Sequence, residues 1–372
     1  MNSSNSNESP TLIFYELNEV PLKVVKSYIK THKNSNISKL AQFFICNTVT
    51  KDTGELHPWT TWPTIHRGVC NKKHKIHFLN QDLSEVNNKY PPIWSHLLSK
   101  GIDIGIFGSL QSYPPITGKN VKFYLPDTFS PSCEAYPNSL RDFQKFNLSM
   151  AGKNKAISGS VSIKDYLLFL KLIFYGFITP RVMTYFIYHL INELIFPPSK
   201  TRRSFLQAII SFEVYLKMLR KHRPRFSTFF TNHVAGMMHR YWYNLYPDDF
   251  KKEPSFNPKT FKYHQSSIFS AMDIADKQIG ELMKYSKEIG GDLWILSSMG
   301  QGAIERDEYI SELIVSDYKL LLSFLSLPSE EYQYVPAMQP DICFKCSSKN
   351  SLANLKLAVS NLKDSNEQNI LI

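Results

Sequence analysis

The sequence is short of cysteine, of acidic residues and of long apolar runs, and each shortage closes off a class of protein. Five cysteines in 372 residues do not make a disulfide framework, and the odd count fits a reducing compartment. Cys343 and Cys346 form a lone CxxC in "DICFKC", but no second pair or nearby histidine completes a zinc site, and the flanking residues read as a strand. No run of eighteen apolar residues occurs. The greasiest region, 164–197, is interrupted by Lys171, Pro180, Arg181, His189 and Glu193. It reads as two core or cap helices broken at "TPR", with peripheral contact to a membrane surface as the competing reading. The first ten residues, "MNSSNSNESP", have neither a basic start nor an apolar core. They read as a disordered tail rather than a secretory signal, so a cytoplasmic location, with or without membrane association, is expected.

Acids are outnumbered, 32 Asp and Glu against 43 Lys and Arg, giving a formal charge of +11. That balance favours anionic partners such as phosphorylated substrates, acidic glycans or membrane surfaces. No nucleic-acid-binding module is recognisable, and nucleic acid is not an expected partner.

What is present is enough apolar material for a large core, with 43% hydrophobic and 13% aromatic residues. "TLIFYEL" (11–17), "FFICNTVT" (43–50), "DIGIFGS" (103–109), "FSTFFTN" (226–232) and "DLWILSS" (292–298) read as buried strands. Helical patterns follow the first strand to about residue 31 and fill 91–101 and 264–291. The alternation predicts an α/β fold with a mostly parallel sheet flanked by helices. A helical insertion at about 150–225 interrupts a single domain spanning 11–372.

Ligands of such sheets bind beyond the carboxyl ends of the strands. The residues there are Glu16, Asn18 and Glu19, then "HPWTTWPTIHRGV" (57–69), then Asn232 and His233, then Ser297, Ser298 and Gln301. Thr60, Thr61 and Thr64 around Pro63 are candidate nucleophilic hydroxyls, with Thr61 placed immediately before a helix. His233 and His239 are candidate ligands of one metal after the fourth of these strands, and Glu16 is the favoured carboxylate. Glu19 reads as a solvated acid at a helix start. Arg67, with Lys72, Lys73 and His74 beyond it, reads either as an anion site or as a solvated basic face.

These segments resemble the alkaline phosphatase superfamily, more its phosphodiesterase/nucleotide pyrophosphatase and sulfatase branches than the phosphatases. Thr61-Trp62-Pro63-Thr64 is similar to the family's nucleophile pattern, and Gly68 to His74 matches its Gly-to-His interval. Glu16 falls where the family has Asp. His233 and His239 fall where it has ligands after a strand, and "DLWILSSMGQG" resembles the strand leading into Ser-Asp-His-Gly. The chain departs from the pattern at Ser298-Met299, which replace the Asp-His pair, and in having no histidine after His264. The segment from Thr61 to Gly68 is shorter than the family's by about a helical turn, which keeps Thr60 and Thr64 as rivals to Thr61.

The resemblance implies a metal-dependent hydrolase or transferase of a phosphate or sulfate ester with a covalent threonine intermediate. Glu16, His233 and His239 would hold one divalent ion, Zn or Mn, rather than two. Asn18, His66, Arg67, Asn232 and Gln301 would hold a substrate, such as a sugar- or lipid-linked phosphate. The alternative is a catalytically degenerate member that binds a ligand or partner in the same cleft.

Overall fold

Residues that alternate sides along a strand can serve two cores at once, and β1 (Leu12–Leu17) does so. Ile13, Tyr15 and Leu17 enter a large cluster on one face of the sheet, whereas Phe14 joins Trp94, Ile104, Ile106, Val121, Tyr124 and Phe226 on the other. A strand buried on both faces belongs inside a parallel sheet covered by helices. The computed structural model has this architecture, and it describes residues 11–79, 81–151, 163–251, 257–304, 315–335 and 342–363. The expected tail, 1–10, lies outside the described residues.

With β2 (Ile104–Phe107), β3 (Val121–Leu125), β4 (Phe226–Thr231) and β5 (Asp292–Leu296), β1 forms an all-parallel sheet in the order β3-β2-β4-β1-β5. Leu17 of β1 lies opposite Thr231 of β4, and Glu16 lies between Phe230 and Leu296. The register therefore brings three strand ends level at the carboxyl edge. Tyr15, Phe107, Tyr215 and Phe229 pack ring against ring at the centre, each contributing about 1.5–3 kcal/mol through burial.

The helices used below are α1 (Leu22–Thr31), α2 (Pro58–Arg67), α3 (Ile93–Ser99), α4 (Ile163–Phe174), α5 (Pro180–Ile195), α6 (Arg203–His222), α7 (His233–Leu245) and α8 (Ser267–Ile289). Helices α4 to α6 lie within the expected insertion. Tyr15 anchors α8 to the sheet through a 2.6 Å hydrogen bond from its hydroxyl to Gln278. Among the described residues no helix is long and apolar enough to cross a membrane.

The expected strand at 43–50 is absent. That segment has no regular structure, and Phe43, Phe44 and Val49 are exposed. Its β-branched and aromatic composition suits a strand, but a strand also needs a neighbour to pair with. Conversely, β3 pairs with β2 in a short run that composition alone does not mark.

Contacts divide the chain into two compact units, Met1–Glu305 and Arg306–Ile372. In the second, β6 (Tyr332–Val335) pairs antiparallel with β7 (Cys343–Cys346), so the CxxC residues do lie on a strand. Tyr332 is buried there and donates from its hydroxyl to the Ser351 carbonyl at 2.9 Å.

Candidate functional site

The quoted segment 57–69 forms α2, with Pro58 in its first turn and Gly68 closing it in the left-handed conformation at φ +65°. Thr61 thus stands inside the helix, not ahead of it, and Pro63 lies further in. Trp62 is fully buried, and its indole N–H donates to Asn18 Oδ1 at 2.8 Å. It is a core residue that also fixes a polar one.

The three threonines differ in their partners. The Thr61 hydroxyl donates to Ser298 Oγ at 2.8 Å and lies 3.2 Å from the His57 carbonyl, which joins α2 to the segment after β5. Thr60 is buried. Thr64 is clamped: its hydroxyl donates to Asp52 Oδ1 and meets His74 Nε2, each at 2.9 Å. The Ile76 N–H donates to His74 Nδ1 at 2.9 Å, so Nε2 carries the proton and gives it to Thr64. Asp52 also accepts from the Asn71 N–H at 2.6 Å. Burial lowers the His74 pKa to about 4, against the pull of the Asp52 charge. His74 is therefore neutral, and it is a donor to Thr64 rather than its base.

The acid that joins the edge cluster is Glu19, not Glu16. Glu16 is fully buried and hydrogen-bonded to His66 Nε2 at 2.8 Å, with the imidazole ring between those of Trp62 and Trp94. Its Oε2 is buried without a partner among the described residues. Glu19 takes a left-handed turn, φ +58°, that carries its side chain back over the strand ends. There it is buried rather than solvated, accepting from Asn18 Nδ2 at 3.0 Å and from Gln301, and lying 3.1 Å from His239 Nε2. Burial alone would raise the Glu19 pKa, but hydrogen bonds from His239, Gln301 and Asn18 outweigh it and hold the carboxyl below its ordinary range. Gly300 permits this closure, since a Cβ there would stand 2.9 Å from that of Pro21.

Asn18 links the elements. Besides Glu19 and Trp62, it donates to Asn232 Oδ1 at 2.7 Å. Gln301 Nε2 also lies 2.7 Å from His239 Nε2. Asn232 and His239 are exposed, so solvent reaches the cluster from that side. Amides from three strand ends, one carboxylate and one imidazole thus meet at the carboxyl edge.

Two expected substrate contacts and one expected ligand are committed elsewhere. His66 is buried on Glu16. Arg67 donates to the Tyr90 carbonyl at 2.6 Å and to Asn87 at 2.9 Å, and burial lowers its pKa to about 10. His233 lies 2.8 Å from the Thr231 hydroxyl through Nδ1 and 3.0 Å from the Ala271 carbonyl through Nε2. Nε2–H donates to that carbonyl, so Nδ1 accepts from Thr231. Burial lowers the His233 pKa to about 4 despite the Ala271 bond.

His233 and His239 share α7, where six residues separate their directions by about 120°. Glu16, His233 and His239 therefore do not converge as ligands of one ion. Among the described residues no three His, Cys, Asp or Glu side chains gather in a metal-ligating group. No family model, curated protein or solved structure matches this chain.

Glu19, Ser298 and Asp52 are the polar residues whose roles sequence reasoning misjudged or missed. Glu19 and Ser298 carried a signal, since both follow strands. Asp52 carried none, because its partners lie beyond a loop and a helix.

Proposed function

We propose that the chain binds a phosphate or sulfate ester at the carboxyl edge of the sheet and transfers its phosphoryl or sulfuryl group by way of Thr61. The observation that supports this is the exposed His239 imidazole backed by the buried Glu19 carboxylate, beside amides from three strand ends. A carboxylate behind an imidazole holds the ring in a fixed orientation, which suits general acid–base work. Asn232, whose Oδ1 accepts from Asn18, would donate from Nδ2 to a non-bridging oxygen of the ester. Thr61 Oγ would form the new bond to phosphorus or sulfur as the ester oxygen leaves. Its proton would pass by way of Ser298 to the His239–Glu19 pair and on to the departing ester oxygen. Water or another hydroxyl would then attack the phosphorus or sulfur, giving up its own proton as the bond to Thr61 Oγ breaks and Oγ is reprotonated. No step is assigned to a metal ion, because the expected ligands do not converge.

A second reading, ligand binding without turnover, is favoured by one specific observation. Thr61 is only 1% exposed, and the partners of its hydroxyl among the described residues are the Ser298 oxygen and a main-chain carbonyl, not a base. Hydrolysis of a generic phosphodiester and a sulfate ester by wild type, Thr61→Ala and His239→Ala, with and without added Zn or Mn, separates the readings. Turnover lost in both variants supports transfer through Thr61. Saturable binding of the ester without turnover in the wild type supports the binding protein.

A further inference from the structure

Helices α4 and α5 are apolar on faces that nothing in the described chain covers. On α4 the exposed residues Leu167, Leu170 and Phe174 recur at helical spacing, while Leu172 on the other side is buried in the core. On α5 the exposed stripe is Ile187, Tyr188, Ile191, Leu194 and Ile195, while Val182 and His189 face inward. Phe174 is 89% exposed and Leu194 84%. Scattered exposed aliphatics are ordinary, but two consecutive helices with continuous apolar stripes mark an interaction surface.

The charges beside the stripes select the partner. Residues 163–203 hold six Lys and Arg against two Asp and Glu. Of the two acids, Glu193 is paired with Arg203 at 2.6 Å. Lys171 stands next to Leu170 on the exposed side of α4, more than half exposed although 3.7 Å from Asp142. An open groove of about 430 Å³ sets Leu190, Leu194 and Pro197 against Lys200 and Arg203. Apolar side chains with cations at their margin, and Tyr188 among them, fit the boundary between headgroups and acyl chains.

We infer that α4 and α5 lie on an anionic lipid surface, with their apolar stripes in the headgroup layer and Lys171 and Lys200 against lipid phosphates. The inference stands whether or not Thr61 turns over an ester. If both hold, a membrane-borne ester is the substrate class to test at the carboxyl edge.

Co-sedimentation of the full chain with vesicles of phosphatidylcholine alone, and of phosphatidylcholine mixed with phosphatidylserine, tests it. Wild type is expected to sediment with the mixed vesicles and to be released by salt. Lys171→Glu/Lys200→Glu is expected to lose about fivefold or more in that partitioning for each cation removed. Ile191→Glu/Leu194→Glu should lose at least as much. A circular dichroism melt checks that variant's fold, and the lysine pair, being on the surface, keeps the test valid if it misfolds. Wild type that ignores mixed vesicles, or a lysine pair that binds like wild type, overturns the inference. So does dimerisation in lipid-free buffer, without vesicle binding, that Ile191→Glu/Leu194→Glu abolishes, since the face would then belong to a second copy of the chain.

Discussion

Thr61 and Thr64 lie one turn apart on α2, yet their surroundings hold them in opposite ways. Thr64 sits between a donor and an acceptor that are themselves fixed, His74 by the Ile76 N–H and Asp52 by the Asn71 N–H. Its hydroxyl is used up in joining a loop, a helix and a short helical turn. Thr61 instead donates to Ser298, a half-buried hydroxyl in the segment that follows β5. The difference teaches that a nucleophile pattern in sequence is resolved by where each hydroxyl's proton already goes.

The largest effect that would break the comparison is on turnover. Thr61→Ala is expected to lower ester turnover per folded molecule by about a thousandfold or more, with a melting temperature a few degrees lower because the buried bond to Ser298 is lost. Thr64→Val should leave turnover per folded molecule near wild type. If the two variants behave alike in kinetics, the distinction fails.

Next in size, His239→Ala should cost roughly a hundredfold in turnover. Melting curves should show little change, since His239 is exposed.

Asp52→Ala tests the other side. Removing the shared acceptor strands the Thr64 hydroxyl and the Asn71 N–H, an expected loss of about 2–3 kcal/mol measured by urea unfolding. Combined with His74→Ala it should be less than additive, because both act through Thr64.

The smallest effect is the slope of stability with pH. His233 and His74 both have folded pKa values lowered to about 4. The unfolded chain takes up their protons below its ordinary value near 6.5, while the folded chain does not. Stability should therefore fall as pH drops from about 6.5 towards 4, at about 1.4 kcal/mol per pH unit for His233 and less for His74. Glu19 acts lower, its contribution being lost as pH falls through its depressed carboxyl pKa. Urea midpoints at several pH values for wild type and His74→Gln measure the slope and the share of His74.

Four of the five parallel strands were legible because each is a short apolar run, but only three are buried as expected: β5 is an edge strand that leaves Trp294 and Ile295 exposed. The run at 43–50 misled for the complementary reason: its residues suit a strand but find no edge. The rule that ligands meet at strand ends named Asn18, Asn232 and Gln301, which do meet; it also named His233, which does not join them, whereas His239, expected as a metal ligand, does. The choice between Glu16 and Glu19 was not legible, since it depends on one left-handed residue after β1 and on the close approach at Gly300. His233 and His239 read as a pair in sequence, but the stretch of α7 between them, which precedes the kink at Tyr241, turns them apart.

The order of the sheet also sets when the cluster exists. β1 is made first, yet it lies between β4 and β5, and the pair Asn18–Asn232 closes over 214 residues and Glu19–Gln301 over 282. At ordinary translation speed the ribosome needs on the order of tens of seconds to deliver those partners. Through that interval β1 is an apolar segment with both edges open, a natural client for chaperones, and the cluster is assembled only after the last strand of the sheet has emerged.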